Sequence, residues 1–247
     1  MHGLLKLSWI EMKLFLREPM AAFFTLLFPL MMLFLFGSIY GNKPSPFFGG
    51  YGSVDISVPA YTAMIIATSG LLSLSIIIST YRESGVLRRF KATPVKPLTI
   101  LTAQVAVLLL MTALGMVLLI VAAKVVYNLK FDGSVLNILL AFILSSLSFF
   151  ALGFVLSGFT PTARSAQIIA MVLFYPMLFL SGATIPREIL PETVKTYAQI
   201  LPLTHVVNLL RGLWVGHGWH EHLLELAVLA GMLIIGVMIS VKTFRWE

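Results

Sequence analysis

The chain has 247 residues, 59% of them hydrophobic and only 11% charged, against roughly 25% charged for soluble domains. It contains no cysteine, which excludes disulfides, thiol chemistry and sulfur-ligated metals. The formal net charge of +7 would by itself admit a nucleic-acid partner, but the placement of the bases along the chain points elsewhere.

Residues 1–19 are predicted to form a helix lying along a membrane surface. Lys6, Lys13 and Arg17 fall on one face at 100° per residue, and Leu5, Trp9, Met12 and Leu16 form an apolar stripe beside them. Trp9 suits interfacial depth. A plain positively charged anchor is the simpler alternative. Glu18-Pro19 breaks the helix, and no secretory signal is evident, because the first long apolar run starts only near residue 20 and is too long for one.

Six apolar stretches follow: Met20–Tyr40, Val58–Thr80, Leu98–Ala122, Val135–Ser157, Gln167–Thr184 and Glu221–Val241. A helix rises ~1.5 Å per residue and needs ~20 residues to cross the hydrocarbon core, so the expected class is an all-α membrane protein with six spans. They use most of the chain and leave a single transmembrane domain over 1–247. Five spans carry no ionisable residue, and the sixth has only Glu221 and Glu225 in its first turns. Buried charges usually mark coupling pathways in transporters, so energy for uphill movement is expected to come from another polypeptide. Glu225 is read as a solvated or hydrogen-bonded group near the interface in preference to a proton-coupling one.

With the amino terminus inside, the inner segments hold Lys6, Lys13, Arg17, Arg82, Arg88, Arg89, Lys91, Lys96, Arg164, Lys242 and Arg245. The outer ones hold Lys43, Lys124, Lys130, Arg187, Lys195 and Arg211. The positive-inside rule favours this orientation, with both termini cytoplasmic. The basicity is topological, and no nucleic-acid partner is expected.

The first outer loop, Gly41–Ser57, is rich in Gly, Pro and Ser and is expected to be irregular, with Pro59 in the first turn of the second span. Kinks are expected at Pro29 and Pro176. Thr62, Ser69 and Ser73 recur along the second span, and Phe174 and Phe179 flank Pro176 in the fifth. These residues either line a substrate pathway or serve helix–helix and lipid contact.

Two connections are informative. Residues 81–97 read Y-R-E-S-G-V-L-R-R-F-K-A-T-P-V-K-P. Glu83, Leu87 and Phe90 share one helical face, with Arg82, Val86 and Arg89 on a neighbouring one. Such a helix suits docking to a cytoplasmic partner; its five bases would also serve simply to enforce topology. Residues 185–219 contain two proline-bounded pieces, Glu192–Leu201 and Leu203–Trp214, neither long enough to cross. They are predicted as a re-entrant helical hairpin in the outer leaflet, covered by protein or lining a cavity.

The pattern R-E-x-G-x-L-R-R-F-x-A-T-P-V, with F-L-S-G-A-x-x-P…L-P…Y-x-x-x-L-P-L-T-H-x-V-x-x-L-R-G further on, resembles the ABC transporter type-2 permease family of drug, antibiotic, polysaccharide and lipid exporters. The likeness covers essentially the whole chain. It implies that Arg82–Thr93 is a coupling helix, with Arg82, Glu83, Gly85, Leu87, Arg88, Arg89, Phe90, Thr93 and Pro94 contacting a separate ATP-binding subunit. The interfacial helix (Lys6, Trp9, Lys13 and Arg17) would assist. It further implies a dimer of permeases, a homodimer or a pair of similar chains, working with two ATPase subunits in a bacterial or archaeal inner membrane. The pathway would run between the permeases, lined largely by the second and fifth spans. The hairpin, with Pro186, Pro191, Pro202, His205 and Arg211, would gate the outer exit.

No Gly-Lys pair occurs in the chain, so a phosphate-cradling Walker A loop is absent. No cofactor is expected in this chain, and ATP and Mg2+ would be bound by the partner. Enzyme readings fail on the residues: neither Ser157-Gly158 nor Ser181-Gly182 has a glycine two residues earlier, and Asp55 and Asp132 are the only aspartates. An ATP-independent channel or scaffold subunit is the remaining alternative. His217, His220 and His222 are close in sequence but do not share one helical face, so no metal site is expected.

Overall fold

The computed structural model describes residues 12–13, 22–86, 97–185, 187 and 190–243. Of the predicted surface helix only Met12 and Lys13 fall among them. Lys6, Trp9, Arg17, Leu87, Arg88, Arg89, Phe90, Thr93, Pro94 and Pro186 lie outside the described residues.

Every regular element among the described residues is helical, and six helices are long and apolar enough to cross a membrane. The first span is a π-helical turn, Phe23–Leu27, running into α1 (Phe28–Tyr40). The widened turn sits just before Pro29, where the chain lacks a backbone donor and a regular α-turn cannot close. The second span is built from α2 (Ser53–Ala67), a π-helical stretch Thr68–Leu74, and α3 (Ser75–Glu83). The third, fourth and fifth spans are α4 (Pro97–Tyr127), α5 (Val135–Phe159) and α6 (Ala163–Leu180). Two shorter helices, α7 (Glu192–Ala198) and α8 (Pro202–Trp214), precede a 3-10 turn at Trp219–His222 and the sixth span, α9 (Leu223–Thr243).

The second span is the hub. Its most apolar window is 89% buried within the chain, against 22% for the first span and 11% for the sixth. The first, third and fourth spans and α8 all pack on it, and the sixth span packs on the fourth. The tightest crossing is between the second and fourth spans. A Cβ at Gly70 would lie 2.7 Å from the backbone of Phe149, and one at Gly153 would collide with the Gly70 carbonyl oxygen. Small residues permit such approach where lipid supplies no hydrophobic drive between helices.

Several boundaries differ from those expected, four of them with consequences for the site. The second span starts at Ser53 rather than Val58, which places Pro59 inside the helix and not in its first turn. The early start has a local cause: Asn42 Oδ1 accepts the Val54 and Asp55 amides at 3.0 and 3.1 Å, and Asp55 Oδ2 accepts the Gly52 amide at 2.9 Å. Orphan donors of the first turn are thereby satisfied from outside the helix. At its other end the same span runs to Glu83, so Arg82 and Glu83 belong to the second span and not to a separate element. The third span continues to Tyr127, carrying Lys124 in its last turn. The fifth span begins at Ala163, where Thr162 Oγ1 accepts the Ser165 amide and Ser165 Oγ accepts the Thr162 amide, both at 3.1 Å. This reciprocal cap fixes the start earlier than apolarity alone suggested.

Candidate functional site

At the Glu83 end of the second span, expected to face the cytoplasm, three of its side chains reach the turn between the fourth and fifth spans. Glu83 Oε2 accepts the Ala163 amide at 2.8 Å, placing a carboxylate at the N-terminus of α6, where the helix dipole favours negative charge. Arg82 donates to the Thr160 carbonyl oxygen, and the hydroxyls of Ser79 and Thr160 lie 3.2 Å apart. Just beyond, Gly85 has φ +68°, a left-handed conformation that ends the helix. The segment entering residues 87–96 is therefore tied to both the second and the fifth spans. Sequence reading selected Arg82, Glu83 and Gly85 for contact with a partner; it did not foresee that Arg82 and Glu83 also grip the neighbouring turn.

At the opposite end, α8 lies against the second, fourth and sixth spans, with Leu203, Val206, Val207, Leu210 and Leu213 fully buried. Its first turn fastens α7. Thr204 Oγ1 donates to the Ala198 carbonyl at 2.5 Å, and His205 Nε2 lies 2.9 Å from the Gln199 carbonyl. The P-L-T-H run thus makes a corner in which Pro202 opens α8 and Pro191 precedes α7. His205 is a hydrogen-bonding member of that corner.

A cavity of about 680 Å³ opens beside this hairpin, bounded by Phe47, Phe48, Tyr51, Arg187, Lys195, Arg211, Glu221, His222 and Glu225 among others. Across it runs a polar chain: Arg187 Nη1 donates to Asn208 Oδ1 at 2.5 Å, and Asn208 Nδ2 donates to Glu225 Oε1 at 3.3 Å. His222 Nδ1 stands 3.8 Å from Glu225 Oε2. Glu225 therefore joins the hairpin to the sixth span. His217 and His222 stack with ring centroids 5.9 Å apart, while Glu221 accepts the Gly218 amide at 2.9 Å. Among the described residues no three His, Cys, Asp or Glu are arranged to hold a metal.

The buried Asp55 was not singled out by sequence reading. It is 1% exposed, and its Oδ1 accepts Asn42 Nδ2 at 2.8 Å and the Lys130 amide at 2.9 Å. Trp214 Nε1 donates to the Lys130 carbonyl at 3.1 Å, and the Tyr51 hydroxyl donates to Asp132 at 3.0 Å. The first outer loop, the turn between the third and fourth spans, and the end of α8 form one hydrogen-bonded rim. Asp55 and Asn42 sit in a Gly/Pro-rich stretch without periodicity, so only an N-cap reading of G-S-V-D could have found them.

Thr62, Ser69 and Ser73 face the packed interior of this single chain, 3%, 0% and 5% exposed. Thr62 donates to the Val58 carbonyl at 2.9 Å, and the Ser69 hydroxyl has no partner among the described residues. In the fifth span Phe174 is buried, whereas Pro176 and Phe179 face outward. The proposed pathway residues thus divide between interior and surface.

Among the described residues the chain is an all-helical bundle with six helices long and apolar enough to cross a membrane and two short helices before the last. The family model described as ABC-2 type transporter matches residues 3–214, and the chain belongs to that family. Nodulation protein J of Rhizobium leguminosarum bv. trifolii is 30% identical over 102 residues, 41% of this chain and 39% of that protein. The inner membrane transport permease YhhJ of Escherichia coli is 24% identical over 211 residues, 82% of this chain and 54% of that one. The probable multidrug ABC transporter permease YbhR of Escherichia coli is 22% identical over 158 residues, 64% and 43% of the two chains. The chain spans about half the length, or less, of these relatives.

Proposed function

We propose that this chain is the permease subunit of an ATP-driven ABC exporter, moving a hydrophobic drug-like, lipid or glycan substrate outward by alternating access. Two copies of a separate ATP-binding subunit supply the energy and hold ATP and Mg2+, and the permease works as a homodimer with both termini cytoplasmic. The observation that carries this reading is the inner clamp. Glu83 and Arg82 join the end of the second span to the start of the fifth at the root of the basic segment 87–96. A push on that segment is delivered to two spans together, as conversion of ATPase closure into helix movement requires.

Family membership supports a transport role in a membrane, the names of YhhJ and YbhR support a permease, and that of YhhJ supports an inner-membrane one. Arg88 and Arg89 provide charge for the ATPase surface. The outer cavity beside α8, with Arg211 and Pro202 on the hairpin, is the exit that the hairpin gates.

The test is affinity purification of the tagged chain from its native membrane in mild detergent, with mass spectrometry of what copurifies. A stoichiometric Walker A ATPase, lost when Arg88 and Arg89 are both replaced by Glu, is the expected result. A preparation without ATPase, repeated after crosslinking, would overturn the reading in favour of an ATP-independent channel or scaffold.

A further inference from the structure

A groove of about 790 Å³ runs along the third and fourth spans, separated from the hairpin cavity by the Tyr51–Asp132 contact and Trp214. Its walls are apolar: Met116, Val117 and Ile120 from α4 face Val135, Ile138 and Leu139 from α5. Val117, Val135 and Leu139 are 49%, 65% and 42% exposed, so this wall stands open toward the hydrocarbon. At one end the lining changes abruptly to Lys124, Asn128, Lys130 and Asp132, with Trp214 and Phe131 at the base. Apolar length capped by cations, at the junction of a span and its turn, is the profile of a phospholipid lying along the protein with its headgroup at the surface.

The charges at the head end favour one lipid class. Two ammonium groups stand against one carboxylate, and Asp132 already accepts a hydrogen bond from Tyr51. Lys124 Nζ donates to the Leu129 carbonyl at 3.1 Å, which uses one of its three donors and fixes its direction. The backbone of Lys130 is held on both sides, its amide on Asp55 and its carbonyl on the Trp214 indole. The Lys124 ammonium and the Lys130 backbone therefore start from ordered positions, and less freedom is lost when a phosphate arrives.

We propose that this groove is a binding site for an anionic phospholipid, with acyl chains along α4 and α5 and phosphate against Lys124 and Lys130. The site needs only that the chain spans a bilayer, and it is independent of ATPase partnership. Because Lys130 belongs to the Asp55 rim, a bound lipid also braces the junction of the second span with α8.

The experiment uses the full chain with Trp9→Phe, Trp219→Phe and Trp246→Phe, leaving Trp214 as the sole indole, in phosphatidylcholine vesicles. Brominated phosphatidylglycerol or brominated phosphatidylcholine is added at equal mole fraction, and quenching of Trp214 is read. Each lysine near a membrane surface adds roughly a five-fold preference for an anionic lipid. Quenching should therefore favour phosphatidylglycerol by at least about five-fold in relative association. The preference should vanish in Lys124→Gln/Lys130→Gln and persist in Lys43→Gln. Equal quenching by both lipids, or a preference that survives the double substitution, would overturn the site. The wild-type chain gives an independent readout. Its thermal stability should be higher in phosphatidylglycerol than in phosphatidylcholine, and this gain should be lost in the double variant; a gain unchanged by the substitutions would count against the site.

Discussion

Asp55 takes a carboxylate into a place that is 1% exposed and meets three donors there: the Asn42 side-chain amide and the backbone amides of Gly52 and Lys130. A buried carboxylate is tolerated only when its lone pairs are occupied, and a hydrogen bond to a charged group contributes about 1.5–3 kcal/mol. In Asp55→Asn the amide nitrogen must face at least one of these donors. The variant should lose about 1–3 kcal/mol, read as a lower thermal midpoint in detergent, and Asp55→Ala should lose more. Unchanged midpoints would show that the rim is not a stabilising network. Glu83 is a milder case, because it is exposed and accepts the Ala163 amide from a solvent-facing position. Glu83→Gln keeps a hydrogen-bond acceptor but removes the charge at a helix N-terminus, a change of ~0.3–1 kcal/mol. ATP turnover of the reconstituted complex should fall by about 2–5-fold with copurification of the ATPase retained. Loss of copurification in Glu83→Gln would instead place Glu83 in the contact surface itself.

The helices carry the same logic at larger size. The second span can be the hub because Gly70 and Gly153 let its backbone meet the fourth span directly. Overpacked cores typically lose 1–3 kcal/mol. Gly153→Val is expected to cost about that much or more, since the obstacle is a carbonyl oxygen and not a mobile side chain. Gly231→Val, where a Cβ would meet nothing within 4 Å, should be neutral; equal midpoints for the two variants would refute the crossing. The sequence was most readable at this scale. Six apolar stretches announce six helices because the bilayer imposes both length and apolarity. The two short helices before the sixth span were readable because prolines bound them. Boundaries were not, since a second span that begins at Ser53 depends on Asn42, eleven positions earlier. The inner clamp was invisible for the same reason: Glu83 and Ala163 are 80 residues apart, and no local pattern pairs them.

The whole molecule leaves large apolar faces outside its own core. On the fifth span Ile168, Val172, Tyr175 and Phe179 are 56%, 66%, 44% and 48% exposed. The sixth span exposes Ile234, Val237 and Val241 at 60%, 48% and 77%. In a membrane both faces are compatible with lipid, so exposure alone does not choose between lipid and a second permease. On the proposed coupling mechanism, the clamp favours the fifth span as the side of a second permease. The fifth span receives the Glu83 carboxylate at its first turn, so its movement is the one an inner-surface push would set, and a pathway between two permeases must be bordered by elements that move. The sixth span packs on the fourth span and α8 and receives no such link at its inner end among the described residues. The chain has no cysteine, so a single introduced thiol reports without background. Val172→Cys should give a disulfide-linked dimer on mild oxidation in native membranes, and Val237→Cys should stay monomeric while remaining open to lipid-soluble maleimide. The reverse pattern would move the interface between permeases to the sixth span. It would leave the Glu83 clamp acting on a helix that faces lipid, and coupling would then have to reach the pathway through the second span alone.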